Sequence, residues 1–164
     1  LSARVMFELA ARAAALARGS RTRVLVNDRA DIARAASCDG VQLTAQSLEA
    51  GVVRRSFGEG FLVGVSTHSL AEALAAREGG ADFALFGPVF DTPSKRAYGP
   101  PLGLDVLAEA ARALAPFPLV AVGGINAGNA RSVLGAGASG VAAIRMFAEA
   151  EDLAETVRSL DEDE

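Results

Sequence analysis

The sequence predicts an α/β protein built on a parallel sheet, on three observations. Six short apolar runs recur along the chain, each followed by a stretch with helical periodicity. Glycine and alanine punctuate the boundaries, and polar residues or glycines collect after every run. Strands buried on both faces and joined by helical crossovers form right-handed βαβ units, which accounts for all three.

In chain order, Val5, Met6, Phe7, Leu9, Ala10, Ala13 and Leu16 give residues 3–18 a helical pattern that ends at Gly19-Ser20. Residues 23–26 (RVLV) read as a short buried strand with Asn27-Asp28 at its carboxyl end. A helix at 29–37 leads to the strand 40–43, and one around 47–56 to the strand 61–65. A helix at 69–78 leads to the strand 83–86, after which a long loop runs from Gly87 to Gly103. A helix at 104–114 then precedes the strand 119–122, and one at 127–136 precedes 141–144, with a closing helix at 149–160. One domain over residues 1–160 is expected, with Asp161 to Glu164 as a solvated acidic tail.

The composition narrows the function. With 164 residues, 51% hydrophobic and 22% charged, the chain has material for a core. A net charge of −4 argues against a nucleic-acid or anionic-membrane partner. Cys38 is the single cysteine and cannot form an internal disulfide, so a reducing, cytoplasmic setting is expected. No apolar run reaches the roughly 18–20 residues of a membrane span, and Arg4, Glu8, Arg12 and Arg18 do not suit a signal-peptide core. The length suits a flavodoxin-like or Rossmann-like sheet and is short for an eight-stranded barrel of about 200–250 residues.

Parallel α/β proteins bind ligands at the carboxyl ends of their strands, so the residues there are the candidate site. Asn27 and Asp28 follow the first strand; Thr44 to Ser47 follow the second, and Ser66, Thr67 and His68 the third. Asp28 suits either a shared Mg²⁺ or a solvated turn. His68, the lone histidine, suits acid/base work, a positioning hydrogen bond or a helix start beside Ser69. Asp91-Thr92-Pro93-Ser94-Lys95-Arg96 sets hydroxyls beside cations, as for a phosphorylated ligand or a solvated loop. Gly123-Gly124 makes either a phosphate-facing backbone or a tight turn, and Ile144-Arg145 offers a second edge to the same cup. Cys38 reads as a small core residue, having no cationic neighbour in sequence to activate it.

Six segments, VLVND (24–28), GVQL (40–43), GVSTHS (64–69), FGPVFDTPSK (86–95), AVGGI (121–125) and GVAAI (140–144), resemble the thiamine phosphate synthase/TenI family in order and spacing. The resemblance implies a (β/α)₈ TIM barrel, of which the six strands would be the third to eighth. It implies a synthase that joins a pyrimidine diphosphate to a thiazole phosphate and releases pyrophosphate. Asn27, Ser66 and Lys95 would contact the pyrimidine diphosphate, and Asp28 would hold Mg²⁺. Thr92, Pro93, Ser94, Gly124, Ile144 and Arg145 would surround the thiazole phosphate.

Three departures from the family pattern qualify this. Ser47 stands where the synthase pattern has a second metal-binding Asp. Pro88 stands where the thiazole phosphate tautomerase branch has a histidine, which matches the synthase form. The family's pyrophosphate-gripping Arg-Glu-Lys segment has no match, and by alignment it would precede Leu1. An incomplete record of a longer protein is therefore expected. A barrel short of two adjacent strands has open edges, which predicts pairing with such residues or with another copy. The alternatives are a tautomerase using His68 as acid/base, and a non-catalytic binder of thiazole or thiamine phosphate.

Overall fold

A computed structural model describes residues 1–92 and 100–161. The expected alternation is observed: α1 (Ala3–Ala17), β1 (Leu25–Asn27), α2 (Ala30–Ala35), β2 (Gly40–Leu43), α3 (Ala50–Phe57), β3 (Leu62–Thr67) and α4 (Leu70–Glu78) come first. β4 (Phe83–Phe86), α5 (Gly103–Leu114), β5 (Leu119–Val122), α6 (Ala130–Gly135), β6 (Gly140–Ala142), α7 (Arg145–Ala148) and α8 (Leu153–Asp161) follow. The fold is α/β, with a six-stranded sheet in the order β1-β2-β3-β4-β5-β6. The chain divides into two compact units, one of Leu1–Ser66 with Ala75–Phe83, the other of Thr67–Leu74 with the described chain from Ala84 onward.

In the first unit β2 pairs in parallel with both β1 and β3, so that Val26, Val41 and Val63 lie in register. Val41 and Val63 are fully buried, among Ala33, Leu43, Val53 and Phe61. Phe57 stacks on Phe61 with ring centroids 4.8 Å apart. Cys38 belongs to the same core, its thiol 3.6 Å from the Ala10 carbonyl, and burial raises its pKa. That environment holds the sulfur protonated and unreactive, as its sequence neighbours suggest.

Arg54 fastens the amino-terminal side of these strands. Its guanidinium meets Asp82 at 2.7 Å and donates to the carbonyls of Gly58, Phe61 and Gly80. Asp82 in turn accepts the Val63 N–H at 2.7 Å. The Arg54 side chain is 13% exposed, so losing it would leave several polar groups short of partners. Arg54→Met is expected to destabilise the fold by about 2–3 kcal/mol. A urea titration checks this, and an unchanged midpoint would show that water replaces the guanidinium without cost.

In the second unit β5 pairs in parallel with β4 and β6. Leu107, Ala110 and Leu114 fall at i, i+3 and i+7 of α5 and are fully buried with Phe86, Val89, Leu119, Ala121 and Val133. The loop after β4 is tied at its two ends, where the Leu102 and Gly103 N–H groups donate to the Pro88 and Val89 carbonyls at 2.8 and 3.0 Å. Gly87-Pro88 and Ala115-Pro116 are cis peptides.

Of the boundaries that differ from the sequence reading, three have a clear local reason. β1 starts at Leu25 because the Asp39 carboxylate takes both the Val24 N–H (2.8 Å) and Arg23 (3.1 Å). Residues 44–47 form a turn outside α3, closed by the Ser47 N–H on the Thr44 carbonyl and the Thr44 N–H on Ser47 Oγ. β6 ends at Ala142, and Ile144, apolar but 85% exposed, leads into α7 instead of ending the strand.

Candidate functional site

Strand register explains which polar residues of the first unit come together. Asn27, Gln42 and Gly64 are register partners across β1, β2 and β3, and Ser66 lies two residues beyond Gly64 on the same face. Gln42 is buried, and its amide donates to Ser66 Oγ at 3.1 Å. A Cβ at Gly64 would come within 2.3 Å of Gln42 Oε1, so glycine leaves the space that the amide occupies. Gln42 was not singled out by sequence reasoning, although a polar residue inside the buried run GVQL is an informative signal.

Asp28 follows β1 with φ +60, a conformation Asp and Asn tolerate better than most residues. Its N–H donates to the Gln42 carbonyl at 2.9 Å, which fixes the turn. Asp28 Oδ1 accepts hydrogen bonds from Thr44 Oγ1, at 3.1 Å, and from the Ser47 hydroxyl. Neighbouring Arg29 instead forms a bidentate pair with Asp31 at 2.6 and 2.8 Å, and that bond holds the Asp31 carboxyl down at about 2. The cluster therefore offers a carboxylate and two hydroxyls, a hard oxygen set of one formal charge. That set fits Mg²⁺, which is commonly held by one or two carboxylates together with substrate phosphates. Among the described residues no group of three or more His, Cys, Asp or Glu could hold a metal.

In the second unit, His68 Nδ1 bonds to the Gly87 carbonyl, which can only accept. Nδ1 therefore carries a proton and donates it, and Nε2 is the ring nitrogen left outside this bond. The His68 N–H donates to the Glu72 carboxylate at 2.7 Å, while the Glu72 N–H donates to Ser69 Oγ at 3.2 Å. This reciprocal pair starts α4 much as a capping box does. His68 is thus both a helix-start residue and a ring held by a carbonyl.

Gly123 and Gly124 end β5 with φ +98 and +66. A Cβ at Gly124 would come within 2.7 Å of Phe90 Cβ and 2.8 Å of the Asp91 carbonyl oxygen. The Gly123 carbonyl accepts from Phe90 N–H, and the Gly124 carbonyl from Asn129 Nδ2, each at 3.0 Å. In trans peptides the N–H groups of Gly124 and Ile125 point opposite to those carbonyls. β5 and β6 pair through Val122 and Ala142, so Gly123-Gly124 and the turn that leads through Ile144 to Arg145 follow neighbouring strand ends. Arg145 is exposed, and its guanidinium has no partner among the described residues. Thr92 is half-buried at the start of the long loop, whereas Pro93, Ser94 and Lys95 lie outside the described residues.

Polar groups or glycines thus stand at strand carboxyl ends in each unit, the position at which parallel α/β proteins bind their ligands. Residues 1–147 match the thiamine monophosphate synthase family. A Geobacter sulfurreducens protein is 45% identical over 160 residues, covering 98% of this chain and 75% of its own length. The thiamine-phosphate synthase of Methanocella arvoryzae is 45% identical over 136 residues, 83% of this chain. Among solved structures, the thiamine phosphate pyrophosphorylase of Pyrococcus furiosus matches with a TM-score of 0.87 and 34% identity, over 98% of this chain and 76% of that one. The chain belongs to the thiamine monophosphate synthase/TenI family. It spans 64% of the length of the Methanocella relative. No helix among the described residues is long and apolar enough to cross a membrane.

Proposed function

We propose that the protein is a thiamine phosphate synthase, a transferase joining a hydroxymethylpyrimidine diphosphate to a thiazole phosphate. On this reading its six strands are the third to eighth of a (β/α)₈ barrel forming a single domain. The observation that carries the reading is Asp28 at the end of β1, its carboxylate braced by Thr44 and Ser47, in a chain whose synthase-type Gly87-Pro88 replaces the tautomerase histidine. In the reaction the bond between the pyrimidine methylene carbon and the diphosphate oxygen breaks, and pyrophosphate leaves with the electron pair. The thiazole nitrogen lone pair then forms the new C–N bond.

Alignment and leaving-group stabilisation carry most of such a reaction, and no side-chain nucleophile is required. Asn27 and Ser66 hold the pyrimidine diphosphate, with Ser66 fixed by the Gln42 amide. Lys95 neutralises the departing pyrophosphate. Gly124, Ile144, Arg145 and the Thr92–Ser94 segment hold the thiazole phosphate. Asp28 holds Mg²⁺, which when bound supplies positive charge for the leaving group.

Incubating the protein with both substrates and Mg²⁺ and measuring thiamine phosphate by its oxidised fluorescent product tests this reading. Product is expected, and its absence at saturating metal would reject the reading. His68 serves here to hold the chain against Gly87, so His68→Asn is expected to lower turnover by less than about tenfold. A loss above about a hundredfold, with isomerised thiazole phosphate as the affected product, would instead assign proton transfer to the ring.

A further inference from the structure

Gln42 is the polar residue inside the buried run of β2, and it is only 8% exposed. Burying an amide costs stability unless its hydrogen-bonding groups find partners. Here one side of the amide is paired and the other is not. Nε2 donates to Ser66 Oγ at 3.1 Å and to the Leu43 carbonyl at 3.4 Å, while Oε1 accepts no hydrogen bond among the described residues. The Leu43 carbonyl can only accept, so the amide turns its N–H side toward Ser66 and its oxygen away. Gly64 gives that orientation its room, because a Cβ there would clash with both Oε1 and the Phe83 ring.

The consequence falls on the Ser66 proton. A serine hydroxyl carries one proton and two lone pairs, and the Gln42 N–H occupies one of the lone pairs. The proton itself has no acceptor among the described residues. Ser66 is half-buried and next to last in β3, close to the strand end at which ligands bind. We propose that Gln42 is a positioning residue that sets the polarity of Ser66, holding the hydroxyl oxygen so that the hydroxyl meets the substrate as a hydrogen-bond donor. The proposal rests on the reading of Ser66 as a contact of the pyrimidine diphosphate. A donor suits the diphosphate oxygens, which only accept. Gln42 acts through the hydroxyl, so its effect on the substrate disappears when the hydroxyl does.

A double-mutant cycle tests this on the binding of hydroxymethylpyrimidine diphosphate with Mg²⁺ and no thiazole phosphate, measured by calorimetry. Gln42→Met keeps the length of the side chain but has no donor, and is expected to weaken binding about three- to tenfold. Ser66→Ala is expected to weaken it at least as much, and adding Gln42→Met to Ser66→Ala to change affinity by less than about twofold. Gln42→Glu matches Gln42 in shape but accepts where Gln42 donates. Its loss is expected to be about five- to tenfold larger with Ser66 present than in the Ser66→Ala protein, where its charge acts alone. Circular dichroism and thermal melts check that each variant is folded, and if Gln42→Met does not fold, the Gln42→Glu cycle decides. Losses that multiply in the double variants would mean that the amide touches the substrate itself, and would overturn the proposal. So would wild-type affinity in a folded Gln42→Met or Ser66→Ala protein. Coupled losses of binding without thiamine phosphate formation would reject the synthase reading and leave this proposal standing; product formation with independent losses would do the reverse, and no binding by the wild-type protein would overturn both.

Discussion

Asp28→Asn is expected to reduce thiamine phosphate formation by about 10²–10³-fold at saturating Mg²⁺ and substrates. The substitution isolates charge from structure. Asn occupies the left-handed region as readily as Asp, so φ +60 at position 28 survives. Its amide oxygen still accepts from Thr44 and Ser47, which keeps the turn after β1 closed. What disappears is the one formal charge at the carboxyl end of β1. A hundredfold loss corresponds to about 2.7 kcal/mol of transition-state stabilisation, within the range of a single electrostatic contact to a leaving group. Steady-state kinetics with a parallel thermal melt distinguishes the outcomes. An unchanged rate would remove Asp28 from the reaction, and a large fall in melting temperature would mean that it acts on the fold.

Gly124→Val is expected to combine the largest local strain with loss of thiazole phosphate binding. At φ +66 a β-branched residue is a backbone outlier, and its Cβ would lie within 2.8 Å of the Asp91 carbonyl oxygen. Phe90 closes the other side at 2.7 Å, so relief requires moving the segment after Pro88. A destabilisation of about 2–4 kcal/mol follows, with affinity for thiazole phosphate lowered at least about tenfold. Gly124→Ala should show the same two effects more weakly. Urea titration and calorimetry of phosphate binding check both. Strain without loss of binding would leave the glycine pair as a tight turn and nothing more.

The parts of this fold that were legible in the sequence are those where local pattern and burial agree. LVAV is a four-residue apolar run and GVQL one broken only by Gln42, both between helical stretches, and each forms a strand in its expected place. Residues 23–24 and 144 were misread because hydrophobic pattern does not report long-range polar contacts or exposure. Asp39 captures Val24, and Ile144 leaves the sheet for solvent. Asn27, Asp28, Ser66 and Gly124 were visible as polar or glycine residues at strand ends. The bracing of Asp28 and the Gln42–Ser66 hydrogen bond were not, since both arise from register between strands far apart in sequence.

The most direct test of the proposed transfer is to measure pyrophosphate release alongside thiamine phosphate, with and without the thiazole phosphate acceptor. Equal amounts of the two products are expected, with release dependent on the acceptor. Pyrophosphate released without the acceptor, or bound thiazole phosphate with no pyrophosphate at all, would contradict the assignment.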